Sequence, residues 1–67
     1  MNNKLTRIKE YRKESGATII DIARATGLTR QAISKIENGC TLPRYQTLVK
    51  LADYFGLSVA DYIKAVS

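Results

Sequence analysis

The chain has 67 residues, 45% of them hydrophobic and 25% charged, which is the composition of one small globular domain with a modest core. Its 11 Lys and Arg against 6 Asp and Glu give a net charge of +5. This charge favours a polyanionic partner such as nucleic acid or an acidic membrane face, although it also aids solubility. One cysteine, Cys40, and no histidine exclude an internal disulfide and a zinc site, so we expect no metal and no cofactor.

The sequence predicts neither a membrane span nor an export signal. No apolar run approaches the ~20 residues that a membrane-spanning helix needs, and the polar start at Met1 is unlike a signal peptide. We therefore expect a cytoplasmic protein that forms a single domain over residues 1–67.

The first helix is predicted over residues 4–15, where Leu5, Ile8 and Tyr11 share one face. It is followed by a glycine, as are the next three stretches with the apolar spacing of a helix, and a glycine just beyond the last turn readily ends a helix. The four glycines lie at positions 16, 27, 39 and 56.

Polar caps mark the starts of later helices. Thr18, Thr29 and Ser58 each directly precede a predicted helix, where a side-chain oxygen can accept a hydrogen bond from a free backbone N–H. The predicted helices two to five cover residues 19–26, 30–38, 48–55 and 59–66. No β-run of useful length is left, so we expect an all-α bundle of five short helices.

Helices two and three have the spacing of a helix-turn-helix. A three-residue turn, Gly27 to Thr29, joins them, and Gly27 permits the sharp change of direction. Ala23 is small enough for close helix approach, while Leu28 can plug the pair into the core. Helix pairs of this kind also occur in proteins that touch no nucleic acid, so the spacing alone does not decide the function.

Long polar residues stand near the start of helix three. Arg30 and Lys35 can donate to guanine O6 and N7, and Gln31 can pair with adenine N6 and N7. The predicted base-contacting residues are Arg30, Gln31, Ser34 and Lys35. The alternative is a solvated polar helix face without function.

Phosphate contacts are expected to frame the reading helix without reading sequence. The residues of suitable type are Thr18, Thr29, Asn38, Thr41 and Arg44. For Arg44 the alternative is an exposed residue at the start of helix four, where a cation gains nothing from the helix dipole.

Two segments carry a family resemblance: GLTRQAISKIENG at residues 27–39 and, after Pro43, LVKLADYFGLS at residues 48–58. They resemble the Cro/C1-type (XRE) family of phage and bacterial regulators, and the likeness extends over about residues 4–63. It implies a five-helix, lambda-repressor-like DNA-binding domain in the bacterial cytoplasm or nucleoid. It also implies a transcriptional regulator, most often a repressor, that binds two half-sites of a palindromic operator as a homodimer.

The resemblance assigns further roles. Arg12 and Glu37 match a family pair that forms a partly buried salt bridge, and Gln31 matches a position that often carries glutamine. By the same likeness, Asn38 and the loop before helix four face the DNA backbone. The chain departs from the family at Ile19, where a glutamine is common. For Ile19 and its neighbour Ile20 we expect packing against helix one or Leu42, with a partner-binding patch as the alternative.

Helix five has more apolar surface than one terminal helix needs, which predicts a dimer interface. The residues concerned are Val59, Tyr62, Ile63 and Val66. We expect Val59 and Ile63 to point inward and Tyr62 and Val66 outward; the alternative is that all four pack inside the monomer.

Other function classes fit the sequence less well. An enzyme is not expected, because the chain has no histidine, no cysteine with catalytic partners and no paired carboxylates. The sequence shows none of the aromatic platforms on which RNA-binding domains usually stack bases. Nothing in it indicates a redox role for Cys40. A protein-interaction module, such as an antitoxin that binds DNA secondarily, stays open.

Overall fold

The computed structural model describes residues 5–67 and shows five helices and no strand over that range. The helices are α1 Ile8–Glu14, α2 Ile19–Thr26, α3 Arg30–Glu37, α4 Tyr45–Tyr54 and α5 Val59–Val66. The predicted all-α architecture is therefore confirmed.

The helix boundaries agree best where a polar cap is present. Helix α1 begins at Ile8, later than predicted; the predicted start at residue 4 lies outside the described residues, and no side chain caps this end. Helix α3 ends at Glu37 with Asn38 as its cap, and α4 begins at Tyr45, ahead of its first buried residue, Leu48.

The α2 cap is a complete capping box. The Thr18 hydroxyl accepts a hydrogen bond from the Asp21 backbone N–H at 3.0 Å, and the Thr18 backbone N–H donates to the Asp21 carboxylate at 3.3 Å. Thr29 accepts from Ala32 at 3.1 Å in the same way. Because these bonds join residues only three positions apart, they stabilise the starts of α2 and α3 locally.

The turn between α2 and α3 needs a glycine. Gly27 has a φ of 78°, in the left-handed region that side chains rarely adopt, and its N–H donates to the Ala23 carbonyl at 2.9 Å. The Thr26 hydroxyl donates to the Ile22 carbonyl at 2.6 Å and accepts from the Leu28 N–H at 3.2 Å. The turn is thus bonded on both sides, which sets the angle between the two helices.

One hydrophobic core holds the five helices together. Helix α2 packs against α3 and α4, while α1 packs against α3 and α5, and α5 also packs against α4. The buried residues are Ile8, Ile22, Ile33, Ile36, Leu48, Leu51, Ala52, Tyr62 and Val66. Helices α3, α4 and α5 each contribute two or more of these residues, and α1 and α2 contribute one each. The buried side of α3 packs against both α1 and α2, which fixes its orientation.

Tyr62 and Val66 point inward, so the prediction that they point outward is wrong. Their exposed fractions are 1% and 0%. The ring of Tyr62 stacks on Phe55 at a centroid distance of 5.9 Å and meets the edge of Tyr11 at 6.1 Å. These aromatic partners lie inside the bundle and draw the Tyr62 row of α5 into the core.

The other row of α5 lies at the edge of the core. Val59 and Ile63 are half-buried and pack against the buried cluster. Tyr62 and Val66 cannot serve in a dimer interface while α5 stays in place. A role for Val59 and Ile63 in such an interface stays a prediction.

Candidate nucleic-acid interface

Helix α3 has two chemically distinct faces. Ile33 and Ile36 are buried in the core, with exposed fractions of 2% and 6%. On the opposite side, Arg30, Gln31 and Lys35 are exposed and Ser34 is half-buried. We call these four residues the polar face of α3. The structure thus brings all four predicted base-contacting residues to one side of one helix.

The far end of α3 is anchored by an ion pair. The Arg12 Nε donates to Glu37 Oε2 at 2.6 Å, and Nη2 donates to Oε1 at 3.2 Å. A third bond runs from Arg12 Nη1 to the Ala17 carbonyl at 3.0 Å. The Arg12 and Glu37 side chains are only 11% and 3% exposed. The predicted salt bridge is therefore present. Together with the bond to Ala17, it connects helix α1 both to helix α3 and to the loop that precedes α2.

The Glu37 carboxylate also affects the aromatic core. Burial raises the pKa of the Tyr62 hydroxyl well above its usual value of about 10, and the negative charge on Glu37 and the nearby Tyr11 raise it further. The Tyr62 hydroxyl therefore keeps its proton to a higher pH in the folded protein than in the unfolded chain.

Cations without an anionic partner lie on the polar face of α3 and at the start of α4. In residues 5–67, Arg7 pairs with Glu10 and Glu14 at 3.3 and 3.6 Å, whereas Arg30, Lys35 and Arg44 form no ion pair. Exposed cations left unpaired in this way are available to an external anion such as a phosphate group.

The predicted phosphate-contacting residues lie at helix ends and in one loop. Thr18 and Thr29 are the N-caps of α2 and α3, so each stands beside free backbone N–H groups. Asn38 is exposed and donates to the Ser34 hydroxyl at 3.4 Å. Thr41 and Arg44 are exposed before α4, where Arg44 is the N-cap but makes no capping bond.

Sequence reasoning missed the position of Ile20. It is 47% exposed and lines a surface depression together with Arg30, beside the polar face of α3. The expectation that it packs against helix one is wrong, because α1 and α2 make no packing contact within the described residues. Packing of Ile20 against Leu42, which is itself 63% exposed, stays a prediction. The helical spacing contained the signal: Ile19, Ile22 and Ala23 form the inward row of α2, which leaves Ile20 outside it.

Several alternative features are absent from the part of the chain that the structure describes. Over residues 5–67 no cluster of His, Cys, Asp and Glu is placed to hold a metal ion. None of the described helices is both long and apolar enough to cross a membrane. Cys40 is a free, exposed thiol in the loop after α3.

Two short helices at a fixed angle, joined by a three-residue turn, with an exposed polar face on the second, define a helix-turn-helix domain. A family model described as "Helix-turn-helix" matches residues 8–62, most of the chain. The chain belongs to this helix-turn-helix family of the Cro/C1 type. Its members are DNA-binding transcriptional regulators and not enzymes.

Curated relatives share the domain. The chain is 37% identical over 60 residues to the HTH-type transcriptional regulator DdrOP3 of Deinococcus deserti, covering 90% of this chain and 46% of that protein. It is 38% identical over 56 residues to PuuR of Escherichia coli, also an HTH-type transcriptional regulator, covering 84% of this chain and 30% of PuuR.

A third relative is similar in length to this chain. It is MJ0272 of Methanocaldococcus jannaschii, an uncharacterised HTH-type transcriptional regulator, 38% identical over 61 residues that cover 91% of this chain and 88% of the relative. By contrast, the chain spans less than half of DdrOP3 and less than a third of PuuR. No solved structure gives a significant match to the chain.

Proposed function

We propose that this protein binds double-stranded DNA with α3 in the major groove and thereby regulates transcription in the cytoplasm. The observation that carries the proposal is the polar face of α3: Arg30, Gln31 and Lys35 are exposed there on a helix whose other side is buried. Both ends of α3 are fixed, by the Thr29 cap and by the Arg12–Glu37 ion pair. A rigid helix loses little conformational entropy when it docks into the groove.

The side chains on this face match the edges of the bases. Arg30 and Lys35 are donors suited to guanine O6 and N7, and Gln31 is suited to adenine N6 and N7. Each well-formed bidentate contact contributes about 1 to 3 kcal/mol of discrimination against the wrong base. The polar face of α3 therefore carries enough hydrogen-bonding groups to select a short half-site.

Phosphate contacts position the domain. The starts of α2 and α3 offer free N–H groups beside Thr18 and Thr29. Polar groups at and beyond the C-terminal end of α3 come from Asn38, Thr41 and Arg44. Donors near both ends of a groove-entering helix suit the two phosphate backbones that border the major groove.

A homodimer acting as a repressor is the form we propose. Two copies related by a two-fold axis would present two α3 helices about 34 Å apart and would require a palindromic operator. The half-buried row of Val59 and Ile63 on α5 is the candidate interface. The names of the relatives as transcriptional regulators support the regulatory role.

Selection of binding sites from random duplex DNA tests the proposal. We expect the wild-type protein to enrich an inverted repeat with half-sites one turn apart, and an Arg30→Ala, Gln31→Ala, Lys35→Ala variant to enrich none. A Lys9→Ala, Lys13→Ala variant is the matched control, because it also removes two positive charges, from exposed positions of α1. Sedimentation of the operator complex then gives the number of subunits bound.

One pattern of binding would contradict the proposal. If wild type and both variants show the same weak, salt-sensitive and sequence-indifferent binding, α3 does not read bases. The search would then move to a protein partner.

A further inference from the structure

A shallow depression separates the start of α2 from the polar face of α3. It is lined by Ile19, Ile20, Arg30, Gln31 and Ser34, and we call it the isoleucine depression. A second depression adjoins it and shares two of these residues; it is lined by Ile20, Ala23, Arg24 and Arg30. Ile20 and Arg30, which are both exposed, line both depressions.

Ile20 is the exposed aliphatic residue of this surface, since Ile19 and Ala23 are half-buried. Its side chain is 47% exposed, whereas its neighbour Ile22 is 2% exposed and belongs to the core. Ile20 and Arg24 are four residues apart on α2, so they share the side of the helix that lines the second depression. Ile20 does not belong to the hydrophobic core or to the residues packed against it, so core packing does not explain an aliphatic side chain among Arg24, Arg30 and Gln31.

The chemistry of the major groove contains one apolar group that suits this position. Among the base edges exposed there, only thymine presents a methyl group, and small or aliphatic side chains contact it. The donors around Ile20 suit the polar atoms of the neighbouring bases. We propose that Ile20 contacts the C5-methyl group of a thymine, beside the base pair that Arg30 or Gln31 reads. This inference rests on the proposed function.

Charge argues for nucleic acid as the occupant. Arg24 and Arg30 flank Ile20, and neither forms an ion pair within residues 5–67. An apolar protein surface docked here would cover two cations without compensating them, which is costly. DNA supplies a methyl group for Ile20 and, within the same groove, base acceptors and phosphates for the cations.

The proposal assigns sequence preference to α2 as well as to α3. Helix α2 would then read one base through an apolar contact, while α3 reads others through hydrogen bonds. Ile20 is already at the surface in the free protein and lines the same depression as Arg30.

Removal of single methyl groups from the DNA tests the proposal. Once selection has given the operator, each thymine of one half-site is replaced in turn by deoxyuridine, which lacks only the methyl group, and binding is measured for wild type and Ile20→Ala. At one thymine we expect wild-type affinity to fall about fourfold, the value for one buried methyl group. At that thymine the Ile20→Ala variant should show no further loss.

A Val49→Ala variant is the matched control, since Val49 is an exposed aliphatic residue of α4 that lines neither depression. It should retain the wild-type response to deoxyuridine. Thermal unfolding of Ile20→Ala shows whether the fold is intact, and Ile20→Leu, which keeps an aliphatic side chain, should retain part of the methyl response.

Three outcomes would overturn the assignment to Ile20: a half-site without thymine, no loss at any deoxyuridine, or an equal loss in wild type and Ile20→Ala. In each of these the operator is still bound, so the proposed function stands. If no operator is enriched at all, the proposed function itself fails and this inference falls with it.

Discussion

The guanidinium of Arg12 binds both carboxylate oxygens of Glu37, across 25 positions of the sequence and at the end of the helix that we propose reads DNA. Glu37 is the last residue of α3, where the helix dipole places partial negative charge. A carboxylate there is unfavourable unless a cation compensates it. Arg12 supplies that cation and so holds the end of α3 against α1.

We expect removal of one partner of this pair to be costly. Arg12→Met leaves Glu37 buried without a partner and should lower the free energy of unfolding by about 3 to 5 kcal/mol, measured by urea denaturation. DNA affinity should fall with the folded fraction. Arg7→Ala is the control, because its pairs with Glu10 and Glu14 are exposed and contribute no more than about 1 kcal/mol.

The double variant Arg12→Met, Glu37→Leu distinguishes a buried charge from a lost contact. We expect it to be more stable than Arg12→Met alone, since no charge is left buried without a partner. Strictly additive losses from the two changes would contradict this account.

Stability should depend on Tyr62 at high pH. The folded-state pKa of its hydroxyl is raised above the unfolded value of about 10, so the folded state holds its proton more tightly. The stabilisation is present below pH 10 and is lost as pH rises further, at about 1.4 kcal/mol per pH unit. Unfolding measured from pH 9 to 11.5 should show a steeper decline for wild type than for Tyr62→Phe. Parallel curves would contradict the prediction.

Substitution of the N-cap residue Thr18 by aspartate should change DNA affinity much more than it changes stability. Thr18→Asp keeps a side chain that can cap α2, so the stability should change by less than about 1 kcal/mol. The new negative charge should nevertheless weaken DNA binding strongly if Thr18 faces a phosphate. Ser58→Asp is the matched control: Ser58 caps α5 at 3.1 Å and also has an aspartate three residues on. Equal DNA affinity of the two variants would remove Thr18 from the interface.

Base and phosphate contacts should differ in their salt dependence. Arg44→Ala should weaken binding to all sequences and lower the slope of log K against log salt by about one. Gln31→Ala should leave that slope unchanged and relax the preference at one base pair by about 1 to 3 kcal/mol. Titrations against operator and scrambled DNA at several salt concentrations measure both. Identical behaviour of the two variants would mean that their roles are wrongly assigned.

Features of the fold that depend on residues close together in the sequence were predictable, and features that depend on residues far apart were not. The starts of α2 and α3 were predictable because Thr18 and Thr29 form their capping bonds within three residues. The start of α1 was not, because Arg7 makes no side-chain cap and the helical spacing at Leu5 does not decide where a helix begins.

The orientation of α5 was also beyond local reasoning. Its two apolar rows, Tyr62 with Val66 and Val59 with Ile63, have equal helical spacing. The choice between them depends on the ring of Phe55, on the preceding helix–loop segment, and on the ring of Tyr11, which is distant in the sequence. The partners of the Arg12–Glu37 pair are also distant in the sequence, 25 positions apart, and the pair was accessible only because a family resemblance implied it.

The bond from the Arg7 N–H to the Val66 carbonyl, 2.8 Å long, joins the start of the first helix to the end of the last. Tyr62 and Val66, which lie on α5, are among the most completely buried side chains. A chain that lacks the final turn of α5 therefore exposes the interior against which α1 and α4 pack. Loss of this turn should leave a polypeptide for chaperones and proteases, and not a weakened regulator.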